Sequence, residues 1–319
     1  SDFLNLTVGS IETTDPVGPD PYGYYIYDYS DENYDLVPTF DWIEIDPSYD
    51  AVVQSQDLNL TDGGNGNNEI YSIETINLPF EFYFYGEPYS QITVSTNGWI
   101  VFGQTLTRSF RNHSVPGAGG PSPMVAVFWD DLKTTSNGDV FYAVFDENQD
   151  GLDDVIVEWS DMRTYDNNDQ EDFQIILYQG NNSDSGDGEM KLQYKEFNNT
   201  SDGYYPQGGG GDNAPRHGCY ATIGIENKYG DIGLEYTFNN EYRLGAAPLS
   251  DGKAIFITTT SPFKLFGDVN GDEILNVLDV VILVNLVLSA QYSDIGDMNS
   301  DDILNVLDIV ILVGIVLGN

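Results

Sequence analysis

Residues 80–103 read FEFYFYGEPYSQITVSTNGWIVFG. Aromatic and β-branched residues fill the runs 80–86 and 92–103, and turn residues separate them. That is the pattern of strands, because such side chains fit a pleated, half-buried surface. Asn97-Gly98 interrupts the second run and marks a hairpin turn or a bulge. Working outward, similar runs recur as MVAVFW (124–129), DVFYAVF (139–145), DVIVEW (154–159), FQIILYQ (173–179) and EMKLQYKEF (189–197). YATIGIE (220–226), GLEYTF (233–238) and KAIFITT (253–259) complete the series. No helical period of useful length intervenes, so roughly ten strands without βαβ spacing predict a large antiparallel β-sandwich over residues 34–262.

Residues 1–33 read differently. Phe3, Leu6 and Val8 form one short extended run, and a Pro-, Gly- and Asp-rich stretch follows from Asp15 to Tyr22. A lone strand cannot satisfy its own backbone, so residues 3–9 are expected to pair with a sheet elsewhere, in this chain or a neighbour. The opening SDFLNLTVGS has neither an initiator methionine nor a signal peptide and reads as a processed, mature product.

The chain has 319 residues, with 52 Asp plus Glu against 11 Lys plus Arg and a formal net charge of −41. Nucleic acid and anionic membranes are poor partners for such a surface. Apolar residues at 40% and aromatics at 13% supply a core, so the acidity does not mean disorder. Divalent cations, or a salty habitat, would offset the self-repulsion. Cys219 is the single cysteine, which excludes an internal disulfide. His113 and His217 are the only histidines, and no apolar stretch is long enough to span a membrane.

Residues 263–319 carry an internal repeat. DVNGDEILNVLDVVILVNLVL starts at Asp268, and DMNSDDILNVLDIVILVGIVL starts 29 positions later at Asp297. Each opens on a twelve-residue loop with oxygen side chains at positions 1, 3, 5, 9 and 12. These are Asp268, Asn270, Asp272, Asn276 and Asp279, then Asp297, Asn299, Asp301, Asn305 and Asp308. A hard cation takes about six to eight oxygens, and a curling loop turns its odd residues inward. Position 7, Ile274 or Ile303, is expected to give its carbonyl while its side chain enters the core. Two calcium ions are therefore expected in this C-terminal α module of two EF-hand-like loop–helix repeats.

These repeats resemble a type I dockerin domain. The resemblance implies two helices in a pseudo-twofold arrangement and docking to a cohesin-like β-sandwich partner. Position 6 departs from the pattern: Glu273 and Asp302 stand where glycine is usual. The helices VVILVNLVL (280–288) and IVILVGIVL (309–317) are apolar on every face, so cover on both sides is expected, from the chain's own sandwich or a neighbour. A third calcium loop is expected at Asp146, Asn148, Asp150 and Asp154, within DENQDGLDD.

Stretches 21–45, 78–103, 126–132, 155–163 and 221–227 resemble the nidogen-like β-sandwich module of secreted bacterial peptidases and adhesins. That resemblance implies a structural or adhesive role and transfers no catalytic residue. Six sequons, at Asn5, Asn59, Asn112, Asn181, Asn198 and Asn199, are candidate glycan sites on a secreted chain.

Carboxylate pairs Asp130–Asp131 and Glu158–Asp161 are what a glycosidase needs, but in so acidic a chain they read as turns or ligands. Ser114 and Cys219 lie near the histidines in sequence only, so no enzyme is expected. Tyr22, Tyr24, Tyr25, Tyr27 and Tyr29 offer a sugar-stacking surface, whereas Trp42, Trp99, Trp129 and Trp159 read as core. The expected function is a secreted, self-assembling structural protein, a filament or surface-layer-like subunit stabilised by calcium. Its contacts would run through the N-terminal strand, the C-terminal helices, or both. The alternative is an adhesion module that docks a cohesin-like partner and binds carbohydrate.

Overall fold

The computed structural model describes residues 11–64, 66–135, 137–180, 183–201, 219–262, 265–271, 274–299, 301 and 303–318. The strand expected over residues 3–9 lies outside them, as do Asp272, Glu273, Asp302 and His217. The chain divides into two compact units, Ser1–Thr260 and Ser261–Asn319.

The first unit is two antiparallel sheets. The strands are β1 (Tyr25–Asp28), β2 (Gln56–Asp57), β3 (Ile73–Phe84), β4 (Glu87–Ser95) and β5 (Trp99–Phe102). Next come β6 (Met124–Trp129), β7 (Leu132–Lys133), β8 (Asp139–Phe145), β9 (Asp154–Thr164) and β10 (Gln170–Leu177). The last are β11 (Met190–Phe197), β12 (Thr222–Glu226), β13 (Gly233–Phe238), β14 (Glu241–Tyr242) and β15 (Lys253–Thr258). One sheet runs β1-β15-β11-β10-β9-β8-β2 with β7 also on β9; the other runs β14-β13-β12-β6-β5-β4-β3.

Alternation along the strands builds the core between the sheets. Val155, Val157 and Trp159 of β9 face it, as do Val125 and Val127 of β6 and Ile100 and Phe102 of β5. The intervening residues do not face water. Ile156 packs with Ile176, Phe141 and Ala143 under Ile43 and Ile45. Trp99, Val101, Met124, Ala126 and Trp129 pack with Val115. The indole N–H groups of Trp99 and Trp129 both donate to the Ser109 carbonyl, at 2.9 and 3.2 Å, which pins that cover in place. Central strands buried on both faces explain why MVAVFW and DVIVEW are apolar throughout rather than alternating.

Asn97-Gly98 is the turn of the β4–β5 hairpin, where Ser95 pairs with Trp99. Gly98 has φ +71°, and a Cβ there would lie 1.9 Å from the Phe128 carbonyl oxygen. Only glycine fits. On the sheet edge, β3 is interrupted by Pro79 and by a register shift between Asn77 and Phe82. Both features discourage strand addition.

Three tryptophans are buried core, Trp99, Trp129 and Trp159, but Trp42 is only half-buried beneath the Lys195 ammonium. The tyrosine series is not a stacking surface. Tyr24, Tyr25 and Tyr27 are buried, because β1 lies against β15 in the register Tyr25↔Thr258 to Asp28↔Ile255.

The second unit holds α1 (Val277–Ser289) and α2 (Val306–Val316), which contact each other. Asn276 and Asn305 are their N-caps, and Asp279 and Asp308 close a capping box in each. Leu283 and Leu312 are fully buried. One expectation fails here. Ile274 and Ile303 do not enter the core but are 61% and 60% exposed. Each turns its carbonyl inward, to accept from the Nδ2 of Asn276 at 2.9 Å and Asn305 at 3.0 Å, so its side chain is thrown outward. On the helices, Val277, Leu278 and Val281, with Val306, Leu307 and Val310, are exposed in the single chain.

Candidate metal centre

Between the glycines at 267 and 296 and the helices that follow, the two loops of the second unit repeat one hydrogen-bond scheme. The Asp279 carboxylate accepts from Asn276 N at 2.8 Å and Val269 N at 3.1 Å. The Asp308 carboxylate accepts from Asn305 N at 2.8 Å and Met298 N at 3.0 Å. Each acid thus ties its loop's start to its helix's first turn, and both are fully buried.

In the second loop, Asp297 Oδ1 and Asn299 Oδ1 both accept from Asp301 N, each at 3.2 Å. Asp301 Oδ1 accepts from Ile303 N at 2.9 Å. Positions 1, 3 and 5 therefore bring their oxygens to the concave side of one turn. In the first loop Asp268 is buried and Asn270 is exposed, while Asp272 lies outside the described residues.

Asn276 and Asn305 also have a part in the helices that the spacing does not show. Their Oδ1 atoms accept from Leu278 N at 2.7 Å and Leu307 N at 2.8 Å, so they cap helices. A water between such a residue and a cation is the usual arrangement at position 9.

The hairpin between β8 and β9 reproduces the second loop almost bond for bond. Asp146 Oδ1 and Asn148 Oδ1 both accept from Asp150 N, each at 3.1 Å. Asp150 Oδ1 accepts from Leu152 N at 2.8 Å, the counterpart of Ile303. Asp154 accepts from Glu147 N at 2.9 Å, as Asp308 accepts from Met298 N. Gly151 takes φ +89° at the sixth position. Burial pushes the Asp154 carboxyl above its ordinary range.

Among the described residues no group of three or more His, Cys, Asp or Glu side chains forms a cluster able to hold a metal. The donors of these loops are instead carboxylate, amide and carbonyl oxygens taken together. Such an all-oxygen set suits a hard cation, not zinc. Residues 265–319 contain nine acidic side chains and no Lys, Arg or His, so the buried Asp279 and Asp308 have no cationic side chain in their own segment. On this chemistry the loops fit calcium.

The other polar candidates are held as follows. Burial pushes Asp130 up to about 7. Glu158 is pushed well up by burial and by Glu44, and accepts from Ile45 N at 3.0 Å. Asp161 accepts from the Tyr49 hydroxyl at 2.8 Å. Half-buried His113 is lowered by burial and by Arg111. Ser114 donates to the Glu235 carboxylate, not to a histidine. Asn112 and Asn199 are buried with their amides bonded, to Tyr220 O and Asn240 Oδ1, so neither can carry a glycan in the folded chain. Asn59 and Asn198 are exposed, and Asn5 and Asn181 lie outside the described residues.

Sequence spacing missed Gly267 and Gly296. A Cβ on Gly267 would meet Leu312 Cδ1 at 2.5 Å, and one on Gly296 would meet Leu283 Cδ1 at 2.8 Å. The signal was available, since both glycines obey the same repeat one residue before each loop.

A profile of the family described as NIDO related matches residues 44–249, roughly two thirds of the chain. No curated protein and no solved structure matches it.

Proposed function

The chain belongs to the NIDO-related family, and from that premise we propose that it is an extracellular structural protein that assembles through a calcium-organised C-terminal unit. The family hints at an extracellular module, and the sandwich supplies a stable, double-covered body. Calcium would be held by Asp268, Asn270, Asp272, the Ile274 carbonyl and Asp279, and by Asp297, Asn299, Asp301, the Ile303 carbonyl and Asp308. Asp146, Asn148, Asp150 and Asp154 would hold a third ion.

One observation carries this reading: the exposed apolar face is duplicated. Val277 and Val306 are 64% and 62% exposed, and Leu278 and Leu307 are 57% and 55% exposed. Such a patch marks an interaction site, and a twofold-repeated one suits a self-complementary contact between copies. Mass photometry with calcium should find oligomers that dissolve in chelator and in the Val281→Lys/Val310→Lys double variant. A chain that stays monomeric in calcium at high concentration would refute self-assembly.

A second reading rests on charge. The second unit's surplus of carboxylates favours a different protein with a basic rim, a β-sandwich of the dockerin-partner type. Formation of a tight heterologous complex by a chain that is monomeric alone would select it.

A further inference from the structure

In the first unit, a cavity of about 360 Å³ opens between Gly64, Gly66–Asn68, Phe110, Arg111, Asp131 and Tyr165. It is separate from every calcium loop described above. Its walls depend on two glycines. A methyl group on Gly64 would lie 2.4 Å from the Tyr165 ring, and one on Gly66 would lie 2.6 Å from the Phe110 ring. Gly64 and Gly66 therefore sit flush against those two rings.

Arg111 is the cation on the wall of this cavity. With 52 acids and 11 bases, a cation should find a carboxylate easily. Lys191, Lys195, Lys228 and Arg243 do, pairing with Glu147, Glu44, Glu87 and Glu235. Arg111 makes no ion pair among the described residues, and its guanidinium carbon stands 5.3 Å from the Phe110 ring centroid. Lys133 also lacks an acid partner. Its ammonium stands 5.5 Å from the Tyr165 ring centroid and donates to Tyr165 O at 3.3 Å. Opposite Lys133 in the β7–β9 ladder is Arg163, which donates to Gln170 Oε1 at 2.6 Å rather than to a carboxylate. Arg111 thus lines the cavity and Lys133 stands over its Tyr165 wall, neither with an acid partner among the described residues.

We infer that this cavity binds an acidic saccharide, a sugar bearing a carboxylate or sulfate group. The guanidinium of Arg111 takes the oxyanion, a pairing whose fork geometry an ammonium cannot supply. The Asp131 carboxylate and the amides of Asn67 and Asn68 take hydroxyls, and the aromatic walls take the apolar edges of the ring. Long-range repulsion from the rest of the surface makes adventitious anion binding elsewhere unfavourable, so the local cations would confer selectivity. Arg111 is exposed and carries no ion pair among the described residues.

The test uses the full chain in calcium on an array of uronate-containing, sulfated and neutral oligosaccharides. Retention is expected on uronate-containing or sulfated members and not on neutral ones, and the two acidic sets distinguish carboxylate from sulfate. Arg111→Gln should weaken it at least tenfold by about the value of one charge-assisted pair. Gly66→Val, which drives a side chain into the Phe110 wall, should do the same, whereas Lys253→Gln, whose ammonium lies over Tyr29, should not. Unchanged tryptophan fluorescence certifies the fold of each variant. Absence of any acidic ligand, equal retention of neutral ones, or an Arg111→Gln chain that binds like the parent would overturn the proposal.

Discussion

Leu312 of α2 occupies the space that a side chain on Gly267 would need, with its Cδ1 2.5 Å from the notional Cβ. Gly296 and Leu283 of α1 stand in the same relation at 2.8 Å. The glycine before each loop is thus the floor for the opposite repeat's helix. Neither repeat completes its own core, so loops and helices must order together.

That reciprocity predicts how chelation acts. Metal binding free energy becomes folding free energy where the ligands converge only in the folded loop. All four tryptophans lie in the first unit, and the α-helices among the described residues lie in the second. Chelator should therefore reduce the 222 nm dichroism while tryptophan fluorescence stays native. A helical signal indifferent to chelator would remove calcium from the account.

Truncating the interlocked leucines should be costly. Leu312→Ala removes a fully buried side chain seated on glycine and should destabilise the second unit by about 2–4 kcal/mol. Leu283→Ala should match it, because it holds the equivalent place. Calcium titrations followed at 222 nm would read both, and a large inequality between them would contradict the pseudo-twofold packing.

Buried carboxyls set the pH response of the sandwich. Burial pushes Asp130 and Asp31 up to about 7 and Asp62 up to about 6, from an ordinary 3.8. The folded chain then holds protons that the unfolded chain has released. This contribution is fully present below the unfolded value and is lost as pH rises through 6 to 7. The urea midpoint by tryptophan fluorescence should accordingly be higher at pH 5.5 than at pH 8. Repeating the measurement in about 0.5 M salt screens general repulsion but not buried groups. A midpoint that rises with pH would reverse the sign of the argument.

Gly98→Ala tests the hairpin. A Cβ 1.9 Å from the Phe128 carbonyl cannot be accommodated without moving β6, and φ +71° is strained for alanine. The loss should be about 3 kcal/mol or more, read as a lower melting temperature of the fluorescence transition. A near-neutral substitution would mean that β6 yields.

Much of this fold is legible because its signals are local. The runs at 124–129, 154–159 and 173–179 are apolar and β-rich, and they contain β6, β9 and β10. Tyr25–Asp28 was read as linker because DPVGPDPY precedes it, while its partner β15 lies more than two hundred residues away. The carboxylate spacing of the two C-terminal loops was visible, yet the outward turn of Ile274 and the capping by Asn276 depend on side-chain placement within one turn. Nor could composition reveal that Arg111 lacks an acid partner, since that is a property of where fifty-two carboxylates fall in space.

The covers over the outer faces have an evolutionary consequence. A strand such as β6, with all six residues buried, has no wet side on which substitutions accumulate harmlessly. Variation among related chains should concentrate instead on half-exposed β3 and on the turn tips, leaving the paired sheets as a nearly fixed chassis.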